Sequence, residues 1–446
     1  SSSRFRAHCR WSTTAMPLRI LDASSIDAAS RARLIERAYA QDRSAFAAAQ
    51  GAIDDVEVRG ADAVREFTKK FDGVDLSDIL VSEEEWARGD LTASEVQDAF
   101  TKAYENILAF HRLQLDSLKG ARETIGGTVL GFRYQAVTTA AMYVPGGKAS
   151  YPSSVLMGLI PAVVAGVKNR IVVTPPDKDG TLLREILFCA KLAGATQIIK
   201  AGGSQGIAAA AFGHNAPGLR TPPAELIIGP GNRYVTAAKS ILASRGLVRI
   251  DSPAGPSEVL IIADHTARPD FVAADLLSQA EHGEDSAAVL CCLSRKFAQE
   301  VSAEIKRGFK ERPARRAMKE KSIRDHSFAI VFESLENAVS FSNEYAPEHL
   351  EICTENPEKV FEGIVSAGSV FLGYFAPVAL GDYFSGTNHV LPTGRAAASY
   401  SGLGVDTFLK RITYQHPTRV SLKEALFPIH VMSKVEGLEH EHGRSV

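Results

Sequence analysis

The sequence has no excess of either charge and no apolar run long enough to cross a membrane. Fifty basic residues are balanced by fifty-two acidic ones, and the formal net charge is -2. Such a balance gives no reason to expect nucleic acid or another polyanion as a partner. A spanning helix needs about 18 consecutive apolar residues, and no run reaches that length. The composition therefore predicts a soluble globular protein without nucleic-acid or membrane partners.

Cysteine is scarce, and its spacing argues against a cysteine-bound metal. The chain has five cysteines and no CxxC pair: Cys9, Cys189, Cys291, Cys292 and Cys353. Several lie in apolar runs such as AAVLCCL, which is typical of small buried thiols. We expect a protein of a reducing compartment, without a cysteine zinc site.

Acidic residues are absent before Asp22, where the chain reads SSSRFRAHCRWSTTAMPLRI. A segment rich in serine and arginine and poor in acids is typical of organelle transit peptides. Residues 1–20 are therefore a possible transit-peptide remnant, which would direct the protein to a plastid. The alternative is an ordinary terminus of a cytoplasmic protein, since Met16 would also serve as a start.

At 446 residues the chain predicts two or three packed units. Apolar residues spaced by three and four predict an N-terminal helical region, 21–142, which we expect to pack on the second α/β unit. Short β-branched runs then alternate with helix-length segments, which indicates parallel strands covered by helices. The predicted fold is α/β, with two incomplete Rossmann-like parallel-sheet domains (143–255 and 256–400) and a helical C-terminal tail (401–446).

Three glycine-rich turns, each directly after a predicted strand, suggest a nucleotide site. They lie in MYVPGGKASYPSS, IIKAGGSQGIAAAAF and ELIIGPGNRYVTAAK. Turns of this kind expose backbone N–H groups in front of a helix dipole. None has the GxGxxG spacing, and a tight structural turn explains any one of them alone. Together they predict a phosphate or nucleotide cleft, with Tyr143, Gln205 and Asn232 available to contact a ribose, an amide or a ring edge.

The stretch SQAEHGEDS contains an amide and an imidazole that can share one metal ion. In a helix, Gln279 and His282 form an i, i+3 pair on one face. Neutral imidazole is a common zinc ligand, and an amide oxygen is a less usual one. The alternative is a histidine near a helix C-terminus that interacts favourably with the dipole.

Two further segments carry polar residues suited to catalysis. YAPEHLEI places Glu348 beside His349 at the start of a strand, an acid and a base suited to proton transfer, although neighbours in a regular strand point to opposite faces. The loop GDYFSGTNHVLPTG carries Asp382 and His389 and has a composition common in functional loops. The tail VEGLEHEHGRSV adds three metal-binding candidates, for which a solvated polar end is the alternative: Glu436, His440 and His442.

These segments, in this order, resemble the histidinol dehydrogenase family. The resemblance runs from about residue 50 to the C-terminus and also includes AGPSEVLIIAD, SAGSVFLG and EGL. It implies oxidation of L-histidinol to L-histidine, the last steps of histidine biosynthesis, by two successive hydride transfers to NAD. It also implies a zinc ion and a homodimer in which each active site is shared by both subunits.

The resemblance assigns roles to individual residues. It implies that Glu348 and His349 are the catalytic pair. It implies NAD contacts at Tyr143, Gln205 and Asn232. The implied substrate contacts are Ser257, Gln279, His282, Glu348, His349, Asp382, Glu436 and His442. The implied zinc ligands are Gln279, His282 and Asp382, with a histidine from the tail of the other subunit.

The tail departs from the family pattern. The family places its last ligand histidine five residues after the tail glutamate, but Glu441 stands at that distance from Glu436. Aligning HGRSV with the family's ending favours His442, with His440 as the alternative and Glu441 as a third. An NAD- and zinc-dependent dehydrogenase of another polar alcohol in the same family is the alternative function. Two alternatives belong to other functional classes: a non-catalytic homologue that binds a nucleotide or a metal, and a metal-dependent hydrolase.

Overall fold

The structure, a computed structural model, describes residues 17–36, 43–146, 151–216, 218–252, 255–442 and 445. Residues 1–16 of the predicted targeting segment lie outside these ranges. Within them the α-helices are α1 (Ala28–Ile35), α2 (Arg43–Arg59), α3 (Ala61–Phe71), α4 (Glu83–Ala87), α5 (Ser94–Ser117), α6 (Pro152–Ala165), α7 (Arg184–Leu192), α8 (Gly203–Phe212), α9 (Arg233–Ser244), α10 (Pro269–Ala280), α11 (Arg295–Glu311), α12 (Arg316–His326), α13 (Leu335–Tyr345), α14 (Pro357–Phe361), α15 (Val378–Tyr383) and α16 (Arg419–Val435).

The strands of the described ranges build two parallel sheets and two small antiparallel ones. They are β1 (Arg19–Asp22), β2 (Ala121–Ile125), β3 (Thr128–Ala136), β4 (Thr139–Tyr143), β5 (Asn169–Thr174), β6 (Gln197–Lys200), β7 (His214–Ala216), β8 (Leu219–Thr221), β9 (Leu226–Ile228), β10 (Arg249–Ile250), β11 (Glu258–Ala263), β12 (Ala287–Cys292), β13 (Phe328–Val331), β14 (His349–Cys353), β15 (Ser369–Leu372) and β16 (Leu409–Pro417).

The first parallel sheet has the order β10-β9-β4-β5-β6, and the second has the order β1-β13-β12-β11-β14-β15. Both are covered by helices, because their central strands are apolar on both faces. The predicted α/β architecture with parallel sheets is thereby confirmed. The four cysteines of the described ranges are buried and unpaired, as their apolar surroundings predict.

The N-terminal region differs from its predicted packing. Helix α2 packs on α8 and α9 of the first sheet, with Ile53 and Val56 in the same core cluster as Ile207. Of the elements described up to residue 142, α1 packs in the core of the second sheet and β1 is an edge strand paired with β13. The reason is steric, since the alanine-rich face of α8 admits the small residues of α2 at close range.

Strand β14 turns its polar residues toward one layer of helices. Leu350 and Ile352 belong to the core beneath α13, whereas Cys353 belongs to the core beneath α10 and α11. Because side chains alternate along a strand, His349 and Glu351 share the face of Cys353. The sequence HLEIC therefore directs an imidazole and a carboxyl toward α10.

The C-terminal tail forms a strand and a long helix. Strand β16 pairs with β3 in antiparallel register, and α16 follows, capped by the Thr418 side chain. Most apolar side chains of α16 are exposed, including Phe427 and Val435. No helix within the described ranges has both the length and the apolarity needed to cross a bilayer.

Candidate active site

The three glycine-rich turns meet at the carboxyl edge of the first sheet. They follow β4, β6 and β9, which are parallel neighbours in that sheet or are joined through β5. Beside them lies a cavity of about 360 Å³, lined by Ala48, Ala52, Phe71, Asp72, Gly203, Ser204, Gln205, Asn232 and Tyr234. The structure thus brings Gln205 and Asn232 together, as expected for one cleft.

Tyr143, the last residue of β4, supports this cleft without lining it. Its hydroxyl accepts a hydrogen bond from the Gly203 backbone N–H at 3.2 Å. Burial raises the pKa of Tyr143 to about 12, so the phenol is neutral at physiological pH. Its role here is to hold the Gly203 turn at the start of α8.

Asn232 also has a structural role that the sequence pattern did not predict. Its Oδ1 accepts hydrogen bonds from the backbone N–H groups of Tyr234 and Val235, which makes it the N-cap of α9. The amide NH₂ group is not needed for this cap, so Asn232 can donate to a ligand while it stabilises the helix.

Asp72 is a residue of the cleft that the sequence reading missed. It follows α3, and its Oδ2 is buried without a hydrogen-bond partner. Burial raises the pKa of Asp72, and the nearby Gly202 backbone partly offsets that rise. A carboxylate aligned in this way can accept hydrogen bonds from ligand hydroxyl groups. Asp72 is distant from the glycine turns in sequence, so no local sequence pattern predicted that it would lie beside them. Its position directly after Phe71, the last residue of α3, was the available hint.

A second group of polar residues lies at the amino edge of the second sheet. Glu348 and His349 are both 5 % exposed and stand where β14 begins. The Glu348 Oε2 atom accepts the Glu258 backbone N–H at 2.8 Å and lies 3.5 Å from His349 Nδ1. Because Glu348 precedes the first strand residue, the two side chains are not forced to opposite faces. The acid and the base therefore lie together.

The environment of His349 makes it a strong base. Its Nδ1–H donates to the Glu258 carbonyl at 3.0 Å, and its Nε2 is buried without a hydrogen-bond partner. Burial alone lowers the pKa of His349, but the carboxylates of Glu348 and Asp382 outweigh it and bring the pKa to about 9. The Nε2 atom lies 3.8 Å from Asp382 Oδ1. This nitrogen is the one available to a substrate.

The loop after α15 connects Asp382 to the first sheet's layer of helices. His389 Nδ1–H donates to the Asp382 carbonyl at 3.0 Å, and Ser154 of α6 bonds to His389 Nε2 at 3.0 Å. Burial lowers the pKa of His389, so the ring stays neutral and bonds on both sides. His389 therefore fixes the backbone at Asp382, which is a positioning role for this part of the loop.

Gln279 and His282 lie at the end of α10. Gln279 is 3 % exposed, and its Nε2 has no hydrogen-bond partner. His282 is exposed, in the turn after the helix, and its backbone N–H donates to the Gln279 carbonyl. Burial, together with the carboxylates of Asp382 and Glu281, raises the pKa of Tyr383, which shows that this turn and the Asp382 helix are near each other. Sequence reasoning placed His282 in the helix, but α10 ends at Ala280.

Within the described residues no three His, Cys, Asp or Glu side chains are grouped closely enough to hold a metal. The unpaired Nε2 atoms of Gln279 and His349 are nonetheless polar atoms that burial makes costly unless a ligand binds them, the amide nitrogen as a hydrogen-bond donor and the imidazole nitrogen as a donor or acceptor. Amide oxygen, imidazole nitrogen and carboxylate oxygen are donors that zinc accepts. The residues thus fit a zinc ion in their chemistry.

Ser257 lies at the same edge, half-buried, and its carbonyl accepts the Ala287 backbone N–H. It lines a cavity of about 390 Å³ with Glu258, Gly394 and residues of β1 and α1.

The candidate ligands of the C-terminal tail do not lie at this edge of the sheet. Glu436, His440 and His442 are exposed, and the hydrogen bonds that anchor the start of α16 lead to the β2–β3 turn, through Thr128. Among the described contacts, none joins these tail residues to Gln279 or Asp382 of the same chain.

Comparisons with known proteins agree on one family. The histidinol dehydrogenase family model matches residues 35–446. Histidinol dehydrogenase of Leptospira interrogans is 49% identical over 93% of this chain and 95% of its own. The chloroplastic histidinol dehydrogenase of Arabidopsis thaliana is 45% identical over 90% of this chain and 85% of its own. The crystal structure of histidinol dehydrogenase from Elizabethkingia anophelis superposes with a TM-score of 0.89, at 39% identity, over 97% of both chains.

Proposed function

The chain belongs to the histidinol dehydrogenase family, and on that premise we propose that it oxidises L-histidinol to L-histidine in two successive hydride transfers to NAD. The chain is an oxidoreductase of histidine biosynthesis by the same membership. The observation that carries the chemistry is the buried pair Glu348 and His349, with a free His349 Nε2. A protein that only binds a nucleotide or a metal has no need of such a pair.

The cleft of the first sheet is the proposed NAD site. Its volume of about 360 Å³ suits part of a dinucleotide, and the positive ends of the α8 and α9 dipoles suit its phosphates. Asn232 donates through its amide NH₂, Gln205 contributes a second amide, and Tyr143 holds the Gly203 turn. NAD supplies the hydride acceptor for both steps.

Gln279, His282 and Asp382 are the proposed zinc ligands of this chain, with His442 of a second copy as the fourth and His440 as the alternative. The bound ion would hold the imidazole and the amine of histidinol, which fixes the alcohol carbon for hydride transfer. Ser257 and Glu436 are proposed to bind the substrate beside it. The support is the carboxylate of Asp382 near His349 and the buried side chain of Gln279, whose amide oxygen is the atom that zinc would bind.

His349 is the proposed general base. Its Nδ1–H is held by the Glu258 carbonyl, so Nε2 is the atom that takes the alcohol proton. The carboxylates of Glu348 and Asp382 raise the pKa of the ring, so they stabilise the imidazolium that forms when Nε2 accepts the proton. Glu348, fixed by the Glu258 N–H, helps activate the water that attacks the aldehyde stage, and the hydrate then loses the second hydride.

We propose a homodimer with shared active sites, and the tail supports it. The zinc ligands proposed for one chain number three, and the tail histidines are exposed at the end of a helix whose apolar face is uncovered. A second copy that receives α16 buries this face and brings a histidine to the metal.

We also propose that residues 1–20 direct the protein to a plastid, because of their composition. Failure of this segment to carry a fluorescent protein into plastids would refute the proposal.

The test is to mix the purified protein with NAD and L-histidinol and to follow NADH by its absorbance. We expect two NADH per histidinol and loss of activity when a chelator removes the metal, restored by zinc. A zinc-containing protein that forms no NADH would refute the proposal. Activity with another polar alcohol but not with histidinol would select the alternative substrate.

A further inference from the structure

Two carboxyl groups that the proposed chemistry does not use face each other beneath the site. Glu351 of β14 is 1 % exposed, and the half-buried Asp275 of α10 lines the same void and interacts with its carboxyl group. Glu351 Oε1 accepts the Val378 backbone N–H at 3.0 Å, whereas Glu351 Oε2 is buried without a partner. With Cys353 the pair borders a void of about 10 Å³, at the lower limit for one water.

Within the described residues no Lys, Arg or His forms an ion pair with Asp275 or Glu351, although the positive charge of His349 lowers the pKa of Glu351 and offsets part of its rise. Arg268 borders the same void, but it is bonded to Asp270 and lies over the Phe271 ring. Two ionised carboxylates buried side by side repel each other strongly. Burial accordingly raises the pKa of Asp275 to about 6, and burial together with the Asp275 charge raises the pKa of Glu351.

We propose that Asp275 and Glu351 share a proton, and that the resulting O–H···O hydrogen bond is a positioning device for the active site. The bond provides the donor that Glu351 Oε2 lacks. Glu351 then ties three elements together: its own strand β14, helix α10 through Asp275, and helix α15 through the Val378 N–H.

Each of these elements carries one part of the site. On β14, His349 is two residues from Glu351 on the same face. On α10, Gln279 is one turn after Asp275, and on α15 Asp382 is one turn after Val378. A shift of α10 against β14 therefore changes the distance between Gln279 and His349. This inference rests on the proposed function, because it explains how the proposed ligands and base are kept in place.

Amide variants test the bond, since an amide replaces the shared proton with a permanent N–H donor. Asp275→Asn and Glu351→Gln each preserve one donor and one acceptor, while Asp275→Ala leaves Glu351 Oε2 without a partner. Asp270→Asn makes the same chemical change on the partly exposed first turn of α10 and is the matched control. For each holoenzyme we would measure kcat and KM with histidinol and NAD, and zinc retention against a chelator.

We expect both amide variants and the control to match the wild-type protein within a few-fold. Asp275→Ala should lower kcat or zinc affinity about 10- to 100-fold, as loss of a supporting hydrogen bond does at metal sites. An Asp275→Ala protein equal to the control would overturn the proposal, and so would amide variants as poor as Asp275→Ala. If Asp275→Ala does not fold, the two amide variants decide alone: retained zinc and kcat support the shared proton, and a tenfold loss in either variant overturns it.

Failure of the proposed function can be told apart from failure of the pair. A wild-type protein without zinc and without histidinol oxidation would refute the former. The pair would still be tested by thermal unfolding, in which Asp275→Asn should unfold at the wild-type temperature and Asp275→Ala at a lower one. Equal unfolding temperatures for these two variants would then overturn the shared proton.

Discussion

At the scale of single residues, three of the proposed functional side chains have a buried polar atom without a partner. The Nε2 of His349, the amide of Gln279 and an oxygen of Asp72 are all of this kind. Leaving such a group unpaired costs about 1–3 kcal/mol, which a fold tolerates where a ligand repays it. These atoms agree with the proposed roles of His349 as the base and of Asp72 as a coenzyme contact, and the Gln279 amide nitrogen remains free to donate to a ligand.

Replacing His349 tests the proposed base. His349→Asn should lower kcat about 10²- to 10⁴-fold, because a general base contributes roughly that much and the amide cannot accept the proton. NAD affinity, measured by fluorescence titration, should not change. His265→Gln, at an exposed position after β11, is the control and should keep full activity. A His349→Asn protein with near-normal kcat would exclude the ring from proton transfer.

Replacement of Asp72 should increase the stability of the protein and weaken coenzyme binding. Its pKa is raised by burial, so the folded protein holds the proton more tightly than the unfolded chain does. The ionised form of Asp72 is therefore disfavoured in the folded protein. The free energy of unfolding falls as the pH rises from about 4 through the pKa of the folded state. Asp72→Asn should therefore raise the melting temperature at pH 7, with a smaller gain near pH 4, and weaken NAD binding. Equal gains at both pH values would contradict this account.

At the scale of elements, Asn232 combines two roles that substitution can separate. Asn232→Asp keeps the N-cap of α9 but replaces the NH₂ donor with a carboxylate, whereas Asn232→Ala removes both. We expect Asn232→Asp to keep its unfolding free energy and to bind NAD more weakly, and Asn232→Ala to lose about 1 kcal/mol of stability in addition. Denaturant unfolding and NAD titration of both proteins measure the two effects. Unchanged NAD affinity in Asn232→Asp would remove the amide from the coenzyme site.

Local pattern predicted the elements well and their partners less well. The alternation of β-branched runs with amphipathic segments gave the parallel sheets, and glycine after each strand gave the turns around Gln205 and Asn232. The packing of α2 on α8 and α9 was not predictable, because periodicity identifies an apolar face but not what covers it. The positions of Asp72 and Glu351 at the site were not predicted for a related reason, because each of them acts with a neighbour that is distant in sequence.

At the scale of the whole molecule, the two parallel sheets present opposite edges. The glycine turns lie at the carboxyl edge of the first sheet, the usual place for a nucleotide, whereas Glu348 and His349 lie at the amino edge of the second. The bonds from Ser154 through His389 to Asp382 join the helix layer of the first sheet to the loop of the second. Coenzyme and base can therefore be supplied by different units to one substrate.

The exposed helix α16 gives the last prediction, which concerns assembly. Phe427 is 78% exposed, and Leu426, Val431 and Val435 are exposed on the same helix. A carboxylate within an interface of apolar side chains must be desolvated, so Phe427→Glu should shift the protein from dimer to monomer. Lys423→Gln, on the same helix, changes the net charge equally and should leave the dimer intact. Sedimentation velocity and bound zinc measured together are decisive: a monomer that keeps its zinc would show that the tail of a second copy contributes no ligand.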